Sequence, residues 1–314
     1  MARRARVREL LEQQRRPLTM QTIGFIGLGN MGGNMAARYL AAGHTVYGEA
    51  RNRDAAQWLI DQGLNWVDTP RELAHAADVV MTSLPNDDIV AAVAAGPDGL
   101  LAGLGEGKIW TDLSTISPQA SRNLAARVRE EGRGAQMLDT PVSGSVPQVK
   151  TGTLTIMAGG DEDAYQRVQA VLRVLGTPEY VGENGQGLVL KLAINISLAV
   201  QMIAFSEGLL LAVRDGIDPH RAAQVMTESP IGSPMLNARV PLVLDRPDET
   251  WFDVSLMHKD IQLALATAHN HHITLPSASL ADQILAEATE KGYEHRDIAA
   301  LYELFARERG ATAD

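Results

Sequence analysis

Lys191 and Asn195 stand four residues apart in the apolar stretch from Gly187 to Val213, a spacing that puts both on one face of a helix. A lysine is costly to bury unless it is paired, so its place in such a stretch needs a reason. Two readings stay open. One is a snorkelling or ion-paired lysine near a helix end. The other is an acid/base lysine whose ordinary pKa of about 10.4 is lowered by partial burial, with Asn195 directing it or binding substrate. Asp139-Thr-Pro-Val-Ser-Gly-Ser145 ends in small residues whose exposed backbone N–H groups suit an anion, although alone it reads as a turn. Thr111–Pro118 likewise follows an apolar run, and Ser117 before Pro118 reads as a helix cap.

The nucleotide signal is sharper. Thr22–Gly32 contains GxGxxG at Gly27, Gly29 and Gly32, between an apolar run and an amphipathic stretch. In this motif the first glycine makes the tight turn, the second admits a pyrophosphate, and the third lets helix and strand pack closely. The phosphates then meet the unpaired N–H groups of a helix N-terminus. Leu28, Asn30 and Met31 share that loop. A fingerprint for NAD places an acid at the end of the second strand. Here Ala50 occupies that position and Arg51, Asn52 and Arg53 follow it, which favours the 2′-phosphate of NADP. Glu49 keeps NAD open, because a one-residue shift presents it instead, and Arg53 also reads as a solvated residue opening the next helix.

Other features point less clearly. His269, His271 and His272 lack HExxH spacing and fall near a helix end, where histidines meet the dipole or solvent, so no metal is expected. Trp58, Trp66, Trp110 and Trp251 are scattered and read as packing residues. Met235–Leu244 and Phe252 read equally as a cleft lining or as helical core.

The elements that must position these residues change character along the chain. Up to about Val181, apolar runs (Thr22–Ile26, Thr45–Tyr47, Val79–Thr82, Ile109–Asp112, Gln136–Leu138, Thr153–Met157) alternate with amphipathic stretches (Met31–Ala42, Arg53–Gln62, Pro118–Glu131, Asp161–Leu175). That alternation predicts a mostly parallel sheet with helices on both faces. Past the punctuation Gly182–Gly187, only helical patterns follow: Gly187–Arg214, Pro219–Thr227, Ser255–His269, Leu275–Gly292 and Asp297–Arg307. The predicted architecture is a doubly wound α/β domain of the Rossmann type over 21–184 and an all-α domain over 185–314, joined by a long helix. Residues 1–20 read as a basic extension, either disordered or preceding a natural start at Met20.

Composition excludes several classes. The chain has 314 residues, is 45% hydrophobic and has no cysteine, which rules out disulfide frameworks and thiolate chemistry. Its net charge is −10 with only 4% aromatics, a poor match to nucleic acid. Six arginines and two glutamates in the first sixteen residues leave about −14 on the rest. Charged and polar residues break the most apolar run at Lys191, Asn195, Gln201 and Glu207, so no stretch reads as transmembrane. The opening arginines lack an apolar core behind them, and a cytoplasmic protein without membrane contacts is expected.

Taken together, GFIGLGNMGGNMA (24–36), DTPVSGS (139–145) with GTLTIMAGG (152–160), GxGxxxK (185–191) and Met257-His-Lys-Asp260 resemble the β-hydroxyacid dehydrogenase family over residues 21 to 307. The resemblance implies that Lys191 is the catalytic lysine and that Ser143, Gly144 and Ser145 hold a substrate carboxylate. It gives Asn195 as the substrate-side amide, Thr115 as a contact near the nicotinamide, Leu84-Pro85 as a cofactor-lining turn, and Lys259 as a cofactor-side lysine. It also implies a homodimer or homotetramer built through the helical domains, acting on a small carboxylate-bearing substrate. Two departures leave the substrate open: Ile194 stands where many members carry asparagine, and Ser145 replaces a glycine. Two alternatives remain: an imine reductase of the same architecture, which usually has Asp or Tyr at the position of Lys191, and a non-catalytic nucleotide-binding module.

Overall fold

The computed structural model describes residues 21–246 and 250–308, and the expectation for 1–20 lies outside them. Six parallel strands form the body of the sheet: β1 (Thr22–Ile26), β2 (Thr45–Glu49), β3 (Asn65–Trp66), β4 (Val79–Thr82), β5 (Ile109–Asp112) and β6 (Gln136–Asp139). Two further strands, β7 (Val142–Ser143) and β8 (Leu154–Gly160), follow, and β9 (Gly176–Gly182) completes the nine. The order is β3-β2-β1-β4-β5-β6-β8-β7, with β9 on the free side of β8.

Helices cover both faces. On one lie α1 (Asn30–Ala41) and, after the short α2 (Gln57–Ile60), the more distant α8 (Glu162–Leu172), sharing a core with Ile23, Phe25 and Val46. On the other, α3 (Pro70–Ala76), α4 (Asp87–Ala94), α5 (Leu100–Gly103) and α6 (Pro118–Glu131) pack around Ile26, Val80 and Trp110. Caps set the starts: the side chains of Thr69, Asn86, Ser117 and Asp161 accept from backbone N–H groups in the first turns of α3, α4, α6 and α8. The short α7 (Val146–Thr151) ends at Gly152 in the left-handed region, as a C-terminal cap favours.

α9 (Gln186–Arg214) runs from this body into the helical half. By length and apolarity it could cross a bilayer, but its first turns pack on the sheet through Leu188, and Ala199 to Leu209 enter a second core. Around it lie α10 (Pro219–Glu228), α11 (Pro234–Leu244), α12 (Val254–Asn270), α13 (Pro276–Glu290) and α14 (Leu301–Glu308).

The structure differs from the sequence expectations at edges and ends. β8 is antiparallel to β6, and β9 was not expected as a strand. Its GTPEYVG sequence carries a proline that only an edge position tolerates, which hides it from a reading based on apolar runs. The stretch expected as one helix over Arg53–Gln62 is a 3-10 turn (Asp54–Ala56) followed by α2. The last expected helix likewise opens as a 3-10 turn over Ile298–Ala300.

Candidate active site

The carboxyl ends of β1, β4, β5 and β6 open on one side of the sheet, where ligands of doubly wound folds bind. A cavity of about 770 Å³ lies there, walled on the other side by α9, α11 and α12. The loop from β1 to α1 forms its floor. Gly27 has φ +90°, and a Cβ on it would lie 2.4 Å from the Ser83 carbonyl oxygen. A Cβ on Gly32 would meet the Gly27 carbonyl at 2.0 Å, so both must be glycine for the turn to sit this close. At Gly29 nothing lies within 4 Å of that position. The space there fits a pyrophosphate over the N-terminus of α1, so the residues present suit a dinucleotide.

Most sequence-predicted residues converge on this cavity. Gly29, Asn30, Met31, Gly32, Leu84, Pro85, Thr115, Ser143, Gly144, Ser145, Lys191, Asn195 and Lys259 all line it. Gly27 and Leu28 support the floor from beneath, while Arg51 and Asn52 are exposed beyond its edge, at the end of β2. Gly144 has φ +124°, and a Cβ there would strike Leu154. The backbone N–H of Ser145 donates to Gln148 Oε1 at 2.9 Å.

Lys191 is buried, and its Nζ donates to Asn195 Oδ1 at 3.0 Å. Asn195 Nδ2 donates in turn to Asp260 Oδ2 at 2.6 Å, fixing the amide's orientation. Asp260 pairs through its other oxygen with Lys259 Nζ at 2.7 Å, and Lys259 also donates to the Thr115 carbonyl at 2.6 Å. This relay ties the helical half to the sheet across the cavity. Phe252 sets its ring 6.0 Å from Lys191 Nζ. Burial is the main force on Lys191 and lowers its pKa to about 8; Asp260 opposes the shift, and Lys259 and Arg239 add to it.

Asp139 holds the lysine's helix in place. Its Oδ1 accepts from the Gly185 N–H at 2.6 Å and its Oδ2 from the Leu188 N–H at 3.1 Å, so a carboxylate sits at the N-terminus of α9. Gly187 permits the approach, since a Cβ there would meet the Met157 carbonyl at 2.4 Å. Lys191 follows one turn later.

Sequence reasoning gave no role to Asp260, Asp139 or Arg239. Asp139 and Asp260 both lie within the motifs named above, where neither stands out by type or spacing. Arg239 had a readable signal: it interrupts the apolar stripe of Leu236, Leu242 and Val243 on α11, and it is buried there. Among the flagged tryptophans, Trp110 is wholly buried, whereas Trp58 is exposed and Trp251 lines the cavity. Ser117 does cap α6, and its hydroxyl also donates to Asp87. Among the described residues, no cluster of three or more His, Asp or Glu could hold a metal ion.

The fold and this cavity define a two-part nicotinamide-dependent oxidoreductase. The family model for the NAD-binding domain of 6-phosphogluconate dehydrogenase matches residues 22–185. That for the NAD-binding of NADP-dependent 3-hydroxyisobutyrate dehydrogenase matches 185–305. The chain belongs to the β-hydroxyacid dehydrogenase family, whose members are NAD(P)-dependent dehydrogenases and reductases. It is 35% identical over 298 residues to the mitochondrial 3-hydroxyisobutyrate dehydrogenase of Drosophila melanogaster, covering 92% of this chain and 90% of that one. A solved 3-hydroxyisobutyrate dehydrogenase from Mycobacterium tuberculosis with L-serine superposes with TM-score 0.81 at 30% identity, covering 91% of this chain and 99% of that one. Psf3, solved with NADP+ and 2-OPP, gives TM-score 0.83 at 28% identity, covering 90% and 99%.

Proposed function

We propose that the chain interconverts a small β-hydroxy acid, or a short ω-hydroxy acid, with its semialdehyde or keto acid, and prefers NADP. The observation that carries the reaction is the buried Lys191 on the cavity wall, directed by Asn195 and Asp260, with a pKa of about 8. When bound, the nicotinamide supplies or accepts the hydride. In reduction, Lys191 as an ammonium stabilises the charge growing on the carbonyl oxygen and delivers the proton to it. In oxidation, neutral Lys191 takes the hydroxyl proton. A pKa near 8 keeps both forms populated around neutrality, as a reversible acid/base group requires. The Ser143–Ser145 loop holds the substrate carboxylate, Asn195 contacts the substrate, and Thr115, Leu84, Pro85 and Lys259 face the nicotinamide side.

The NADP preference rests on the end of β2. Ala50 packs on the α1 face with Met31, while Tyr47 packs on the opposite face. Strand alternation puts Glu49 on the Tyr47 side, away from Ala50, and Arg51 is exposed just past the end of β2, which supports a cation rather than a carboxylate as the partner of the ribose. We also read the chain as a homodimer or homotetramer through its helical half, because eight of the nine large exposed hydrophobic residues, among the described residues, lie beyond Gln186. A lysine at 191 favours carbonyl over imine chemistry.

The test is initial-rate loss of nicotinamide absorbance with NADPH and with NADH. The panel is glyoxylate, succinic semialdehyde, tartronate semialdehyde and methylmalonate semialdehyde. Turnover with NADPH favoured, and with the preference reduced roughly tenfold or more in Arg51→Ala, supports the reading. A preference for NADH in the wild type refutes the role of Arg51.

A further inference from the structure

Arg239 is a buried cation that the reaction outlined above leaves unused. It lies on α11, is 6% exposed and lines the cavity. Its nearest carboxylate is Asp297, whose Oδ1 lies 3.7 Å from Arg239 Nε, beyond hydrogen-bond reach. Asp297 is already satisfied: Oδ2 accepts from the N–H groups of Trp251 at 2.9 Å and Phe252 at 3.0 Å, and Oδ1 from Ala299 at 3.0 Å. Arg239 Nε is sealed without a hydrogen-bond partner, and among the described residues the guanidinium makes no hydrogen bond at all. Its carbon sits 5.8 Å from the Trp251 ring. The next residue, Phe252, sets its ring 6.0 Å from Lys191 Nζ. Two consecutive aromatic residues therefore each lie beside a cation of the same cavity.

Arg239 has a long ion pair with Asp297 but no hydrogen bond to offset its burial, which is costly. Its two Nη groups remain unbonded among the described residues, and a carboxylate is the ligand that fits that fork. We propose that Arg239 is the anion-binding residue of a second subsite, and that the substrate it selects is a hydroxy acid with an additional acidic arm. One carboxylate of this diacid is held by the Ser143–Ser145 loop of the sheet half, and the other by Arg239 of the helical half. The substrate class rests on the reaction proposed above, whereas the anion subsite itself does not.

The test separates the two. Binding of glutarate and of butyrate to the NADP+-saturated protein is measured by calorimetry, because the two differ by one carboxylate and neither turns over. The expected result is that glutarate binds at least about tenfold tighter, that Arg239→Met abolishes the difference, and that Arg239→Lys keeps part of it. NADP+ affinity in each variant reports folding. In parallel, the kcat/KM ratio of 2-(hydroxymethyl)glutarate to 3-hydroxyisobutyrate should fall roughly 30-fold in Arg239→Met. Equal binding of the two acids to the wild type overturns the proposal, whether or not a variant folds, as does a glutarate preference that survives in Arg239→Met. Loss of turnover on every hydroxy acid, with the Arg239-dependent preference intact, refutes the reaction and leaves the subsite standing.

Discussion

A lysine with a pKa of about 8 sets the pH dependence of a reversible reaction. Reduction needs the ammonium, so log kcat/KM for reduction should be flat below about pH 8 and fall by one per unit above it. Oxidation needs the neutral amine, so its profile should be the mirror image. The Asp260 charge favours the ammonium and raises this pKa against burial. Asp260→Asn should therefore move the reduction limb to lower pH, and a limb that moves up or stays put contradicts the support that the Asp260 charge gives the ammonium. At this scale, Lys191 and Asn195 were legible because a cation and an amide at helical spacing in an apolar run are conspicuous, whereas the Ser143–Ser145 loop reads alone as a turn. Asp260 was not legible, since its value lies in reaching Asn195 across 65 residues of chain, which no local pattern encodes. Arg239 was legible in principle, as the one charge in an apolar stripe on α11, but a stripe otherwise apolar reads as core.

At the scale of elements, the position of the lysine depends on how closely α9 approaches the sheet. Asp139 grips its first N–H groups, and Gly187 touches the β8 backbone with no room for a side chain. Gly187→Ala should cost about 1–3 kcal/mol by overpacking, read as a lower urea midpoint, and should displace Lys191 enough to lower kcat. Unchanged stability would show that the helix adjusts freely. Parallel strands and long helices were readable here from apolar runs and caps, because each repeats a physical period. The short or proline-bearing edges, β7 and β9, were not, since pairing with β8 rather than intrinsic pattern makes them strands.

For the whole molecule, the sheet half supplies the nucleotide floor, the helical half supplies the lysine, and the Lys259–Thr115 contact spans the cleft between them. Leu211 is 74% exposed on α9, with Val225 and Leu280 also exposed on neighbouring helices. If these are covered by a second copy, Leu211→Lys should lower the mass seen by light scattering from dimer or tetramer toward monomer. A wild type that is monomeric at micromolar concentration would contradict this use of the helical half.

The reaction proposed for this cavity stands or falls on Lys191 carrying the proton of a carbonyl–hydroxyl interconversion. The most direct measurement is NADPH-dependent turnover of the best semialdehyde by wild type and Lys191→Met, with NADPH affinity determined for both. In Lys191→Met kcat should fall about 10²–10⁴-fold while NADPH binding is retained. A variant that turns over within a few-fold of wild type would show that the proton is carried elsewhere.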